Sequence, residues 1–215
     1  EVAGVQMVQD VLPWEQMKLR MLNGSHSFLA YLGYLAGYAH INECMEDAAF
    51  REAARRLMLD EQAPTLRIKD VDLTAYADSL LERFANPALQ HRTGQVAMDG
   101  SQKLPQRMLD GIRVHRERKT PWPLLALGVA GWIRYVSGTD DRGNAIDVRD
   151  PLSDKIRTVV NASSDANRVN ALLGLSEVFG HDLAQNRVFV EAVSQAYQRI
   201  TRHGARQAVI ETLNI

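Results

Sequence analysis

The chain has 215 residues, of which 46% are hydrophobic and 24% charged, with a formal net charge of −1. That composition suits one globular domain with a substantial core, and the near-neutral charge argues against a dedicated nucleic-acid or membrane-surface protein, which needs an excess of Lys and Arg. The single cysteine, Cys44, rules out an intramolecular disulfide and a multi-cysteine zinc site and fits a reducing compartment, so the expected location is cytoplasmic.

Residues 1–11, EVAGVQMVQDV, carry enough valine for a short strand that Pro13 ends. No basic stretch followed by an apolar one stands at the N-terminus, so no signal peptide is expected, and a chain beginning at Glu1 fits a piece of a longer protein. From Trp14 to about His40, Met17, Met21, Leu22, Leu29, Leu32, Leu35 and Ala36 recur at helical spacing. Gly24, Gly33 and Gly37 interrupt that pattern but permit close packing. The most apolar run, Phe28 to Ile41, falls short of the roughly 20 residues that cross a bilayer.

A second helix is expected from Glu46 to Gln62, closed by Pro64, and a third after the N-cap Asp72, stopped at Asn86–Pro87. Helices are expected over 101–119 and 121–138, the latter nearly all apolar and central, with Trp122 and Trp132 in the core. Residues 139–151, TDDRGNAIDVRDP, are the clearest loop, with a little β structure possible around VRD. Closing helices follow over 153–162, 166–180 and 186–204. The predicted fold is all-α, a single domain over 1–215 with a short N-terminal strand and minor β in the 139–151 loop.

The stretch KLRMLNGSH, Lys18 to His26, places a lysine, an asparagine and a histidine in an otherwise apolar helix. In a straight α-helix Asn23 would lie about 140° round from Lys18 and His26 about 80°, with a rise of roughly 12 Å between the ends. A straight helix therefore draws Lys18 away, and a bend near the motif would bring the three together. The residue types suit metal-free proton abstraction from an alcohol. A desolvated lysine is a general base, an asparagine amide donates to an oxygen gaining charge, and a histidine holds a hydroxyl. A hydride acceptor would have to be a nicotinamide, because no side chain accepts a hydride. On spacing alone, three such polar residues on a helix are most often solvent-facing or locally satisfied.

KLRMLNGSH resembles the K-x4-N-x2-H motif of the mannitol dehydrogenase family, the polyol-specific long-chain dehydrogenases. Residues 83–107, RFANPALQHRTGQVAMDGSQKLPQR, are similar to the family's RF-x-NP … DGS-x-K-x-P segment. The resemblance covers essentially the whole chain and is strongest to the fructuronate reductase (D-mannonate oxidoreductase) branch. It implies Lys18 as general base, Asn23 polarising the reacting oxygen and His26 orienting the substrate. His91 and Arg92 stand just before Gly94 and Gln95, near which the polyol enzymes carry arginines. Arg92, with Lys103 and His91 beside it, is the candidate partner for a sugar-acid carboxylate, which a guanidinium fork suits. "HR" after an NP turn also reads as a surface pair at a helix start.

The family binds NAD through an N-terminal Rossmann domain, and no G-x-G-x-x-G after a strand occurs here. Gly33/Gly37 and Gly128/Gly131 lie in apolar helical runs, where close packing explains them. The resemblance thus implies the catalytic and substrate-binding half of an NAD-dependent, metal-independent dehydrogenase, partnered by the Rossmann domain of the same protein and inactive alone. D-mannonate/D-fructuronate is the expected pair; tagaturonate/altronate or a neutral polyol such as mannitol is the alternative, and a non-catalytic helical binding domain is the rival of another class. The six histidines form no H-x-x-x-H or H-E-x-x-H pair, so no metal site is expected. Cys44 reads as a buried apolar residue, and Arg113–Lys119 as a solvated basic helix end.

Overall fold

The computed structural model describes residues 10–215. The strand expected over 1–11 lies almost wholly outside the described residues, and of its end Asp10 and Val11 are exposed and in no strand. Every named element is helical, as expected from the periodicity. Helix α1 spans 12–36, with Pro13 inside its first turn rather than before it. That place suits proline, because the first amides of a helix have no partner within it. The following helices are α2 (Ile41–Glu46), α3 (48–62), α4 (Leu73–Ala85), α5 (Thr93–Val96), α6 (100–118), α7 (Pro123–Val136), α8 (Ser153–Ala162), α9 (Arg168–Leu173), α10 (Ser176–Ala184), α11 (Arg187–His203) and α12 (Ala205–Leu213).

Helix α7 is the axis of the fold. Leu124 to Ile133 are buried without a gap, which is the pattern of a helix hydrophobic all round. Helices α1, α11 and α12 pack around it. Gly128 and Gly131 let α6 and α1 close on α7: a Cβ would lie 2.9 Å from Met108 Sδ at Gly128, and 2.9 Å from Leu32 Cδ2 at Gly131. Gly33 does the same against buried Cys44, as expected. Gly37 differs from the packing role assigned to it: its φ of 93° ends α1 in the left-handed conformation that glycine favours.

Three further boundaries differ from expectation. The helix drawn from Glu46 to Gln62 is broken at Asp47, which caps α3 by accepting from Ala49 N at 2.9 Å. The segment drawn as one helix over 166–180 is two, α9 and α10, parted at Leu175, where ψ of 88° leaves the helical region. Helix α12 had no expectation attached; buried Ala205, Ala208, Val209 and Thr212 set it against the core. Asp72 caps α4 as anticipated, accepting from Thr74 N and Ala75 N at 3.0 and 2.9 Å. The 139–151 loop holds one isolated antiparallel bridge, Thr139 to Ala145, ahead of the VRD segment.

Candidate functional site

The K-N-H stretch is not straight α-helix. Within α1, Lys18–Gly24 is wound as π-helix, and α winding resumes at Ser25. At about 4.4 residues per turn, Asn23 comes to within roughly 50° of Lys18, against about 140° in an α-helix. Asn23 and His26 are then α-helical neighbours three residues apart. The wider turn moves Lys18 and Asn23 toward one face of the helix, by winding rather than by the bend anticipated.

Lys18 is exposed, and Asn23 and His26 are partly buried. The desolvation that a lysine base requires does not come from the described residues. His26 stacks on Phe84 of α4 at 5.2 Å between ring centroids and meets His91 at 5.2 Å. Its Nε2 is buried and has no hydrogen-bond partner among the described residues. Burial first, then the basic side chains of His91, Arg107, Arg83 and Lys103, lower its pKa to about 4. A neutral ring can either donate to or accept from a substrate hydroxyl.

The sign of that shift sets a pH dependence. Because the folded value lies below the ordinary 6.5, His26 contributes its stability fully above that pH and loses it as pH falls toward 4. Between pH 7 and 4 the wild type should lose more thermal stability than His26→Gln, measured by calorimetry at matched ionic strength. Equal losses would contradict the buried, neutral His26.

The segment that supplies His91 is held from both sides. Ile41 N donates to the His91 carbonyl and Thr93 N to the Ala39 carbonyl, each at 2.9 Å, and the Thr93 hydroxyl donates to Tyr38 O at 2.8 Å. Consecutive side chains there take different surroundings. His91 meets His26, whereas Arg92 lines a cleft of about 690 Å³ with Tyr34, Tyr135, Arg142 and Arg149. Arg92 is not among the charges that act most strongly on His26. Lys103 is among them: its ammonium donates to Met98 O at 2.6 Å and lies 3.7 Å from Asp99 Oδ2, and burial lowers its pKa. Of the two cations expected at the substrate, Lys103 is thus close to the K-N-H group and Arg92 faces a neighbouring cleft.

The DGS turn that leads to Lys103 is fixed by Asp150. Its carboxylate accepts from Ser101 N at 2.8 Å and from the Ser101 hydroxyl at 2.5 Å, capping α6. Gly100 abuts Trp132 and Tyr31, with no room for a Cβ. Pro105, one turn on, cannot donate to Ser101 and starts another π segment, Pro105–Leu109. Sequence reasoning did not single out Arg83, Phe84 or Arg107. All three lie inside the RF-x-NP … PQR segment, but nothing in their spacing shows that they converge on His26.

The family model described as the mannitol dehydrogenase C-terminal domain matches residues 10–201. The chain belongs to the mannitol dehydrogenase family. D-mannonate oxidoreductase of Escherichia coli (strain K12) is 57% identical over 207 residues, 96% of this chain and 43% of that protein. The uncharacterized oxidoreductase YeiQ of the same organism is 74% identical over 215 residues, 100% of this chain and 44% of that protein. In fold, the chain superposes on Pseudomonas fluorescens mannitol 2-dehydrogenase in its ternary complex with NAD and D-mannitol. The TM-score is 0.92 at 33% identity, covering 99% of this chain and 43% of that one. The chain therefore spans less than half the length of the relatives it matches. Like this family's C-terminal domain, it is all-α. Among the described residues no helix is long and apolar enough to cross a membrane, and no group of three His, Cys, Asp or Glu side chains could hold a metal ion.

Proposed function

We propose that this chain is the substrate-binding and catalytic half of an NAD-dependent, metal-independent oxidoreductase of the cytoplasm that interconverts D-mannonate and D-fructuronate. The observation that carries the substrate class is the sign of the charges at His26. The side chains that act most strongly on it, His91, Arg107, Arg83 and Lys103, are all basic. Such a setting attracts an anionic sugar acid more than a neutral polyol. The D-mannonate oxidoreductase relative supports the same choice, while the likeness to a mannitol-bound enzyme is the support for the polyol alternative.

In the oxidation direction, Lys18 would take the hydroxyl proton as hydride leaves the same carbon. Asn23 would donate its amide to the oxygen that becomes the carbonyl, and the orphaned His26 Nε2 would hold a hydroxyl in register. Lys103 is the nearer candidate for the carboxylate, with His91 at its side; Arg92 would reach it only if the substrate extends into the neighbouring cleft. The nicotinamide would supply the hydride acceptor. No phosphate-cradling glycine loop follows a strand in this sequence, so the residues present fit the substrate end of the reaction and leave the dinucleotide to a Rossmann domain elsewhere in the protein.

The test is NADH oxidation by the full-length protein with fructuronate, tagaturonate and fructose in parallel. We expect fructuronate to give the highest kcat/KM. Preference for fructose would move the reading to a neutral polyol and remove the carboxylate role of Lys103 and Arg92. Reduction of none would favour a non-catalytic binding domain.

A further inference from the structure

Three helices change from α to π winding where they meet: α1 at Lys18–Gly24, α3 at Leu57–Gln62 and α6 at Pro105–Leu109. π turns are rare and recur at functional sites. Residue 107 joins all three. Its carbonyl accepts from Gln62 Nε2 at 2.8 Å. Its Nη1 donates to Ser27 Oγ at 2.9 Å and, more weakly, to the Asn23 carbonyl at 3.4 Å. Gly24 lets the two backbones touch, since a Cβ there would lie 2.8 Å from the Arg107 carbonyl oxygen. The turn bearing Asn23 and His26 is therefore held by the guanidinium of the residue whose carbonyl also ties α6 to α3.

That guanidinium is a costly choice for a purely structural post. It is partly buried, its Nε is wholly buried without a partner, and no carboxylate among the described residues lies within ion-pair distance of it. A buried cation without an acid costs stability that an apolar side chain of similar volume would not. The Asn23 carbonyl it meets stands at the change from π to α winding, where the helical hydrogen-bond ladder shifts register.

We infer that Arg107 is a positioning residue, setting the Asn23 backbone and the His26 ring in the orientation a substrate oxygen needs. The inference rests on the proposed Lys18–Asn23–His26 site. Arg107 also belongs to the cationic set around His26, with Arg83 from α4, His91 from the segment before α5 and Lys103 from α6; Asp99 and Asp150 act on Lys103.

The test uses the full-length protein with Arg107→Gln, Arg107→Lys and Ser27→Ala, reading kcat and KM separately, Tm, and the His26 titration by NMR of ¹³C-labelled histidine. Arg107→Gln should lower kcat at least about tenfold with a smaller change in KM, as misorientation does, and raise the His26 midpoint above about 4. Arg107→Lys, which keeps the charge and loses the fork, should lower kcat while leaving that midpoint low. A fall in Tm with kcat and the His26 midpoint unchanged would show a structural post only and overturn the inference. Should Arg107→Gln fail to fold, Arg107→Lys and Ser27→Ala decide by the same readouts. If the wild type reduces no sugar offered, the proposed function fails, and an unmoved His26 midpoint in Arg107→Gln would separately sink the inference.

Discussion

Lys18→Ala in the full-length protein is expected to lower kcat on its best sugar substrate by about 10²-fold or more, the range for loss of a general base. Because Lys18 is exposed and its ammonium makes no hydrogen bond or ion pair among the described residues, Tm should stay within a degree or two of wild type, as for neutral surface changes. Lys18→Arg should fail equally, since a guanidinium keeps its proton and cannot act as the base. The π winding sharpens the expectation: Lys18 and Asn23 share a face only in that geometry. Steady-state kinetics beside a thermal melt make the check. Turnover within threefold of wild type would remove the base from Lys18 and bring the non-catalytic reading forward.

The largest stability effect is expected at Glu61, which no motif singles out. Its carboxylate is buried and accepts from Leu124 N and Leu125 N, both at 2.7 Å, capping the central helix α7 from another element. Its own carbonyl meets His115 Nε2 at 2.5 Å. Glu61→Ala would orphan two amides at the start of α7 and open a cavity beside it, at about 1–3 kcal/mol for each unsatisfied group. A loss of roughly 3 kcal/mol or more in denaturant unfolding is the expected result, and a loss below about 1 kcal/mol would contradict the cap. Burial pushes the Glu61 carboxyl up to about 8 against the pull of the two amides. A raised folded value means that this stability is full below the ordinary carboxylate range and declines as pH rises toward 8. Wild type should therefore lose more stability between pH 5 and 8 than Glu61→Gln does.

Much of the fold was legible because period and punctuation are local. The all-apolar stretch 121–138 announced a central helix, and Asp72 and Asn86 marked the ends of α4 by hydrogen bonds within their own turns. The misplaced boundaries have local causes of another kind. Asp47 works as a cap inside a run that looks continuous, and at Leu175 the backbone leaves the helical region within an apolar pattern that does not change. Periodicity follows the apolar face and is blind to a single residue that turns the chain.

The site divides in the same way. The chemistry on offer is legible from the residues alone: a lysine, an asparagine and a histidine on one helix, in an order that resembles the mannitol dehydrogenase family, and the family match over residues 10–201 agrees. How they are presented depends on packing between distant segments. The π winding that aligns Lys18 with Asn23 stands where Gly24, Gln62 and Arg107 meet, residues distant in the chain. The neutral state of His26 comes from burial and from basic side chains on three other segments. Likewise, His91 and Arg92 are adjacent in the chain yet meet different surroundings, His26 for one and the Tyr34–Arg142 cleft for the other. Helical spacing fixes neighbours three and four residues apart, whereas desolvation and charge at a point sum over everything that packs there, and that sum exists only once the chain has folded.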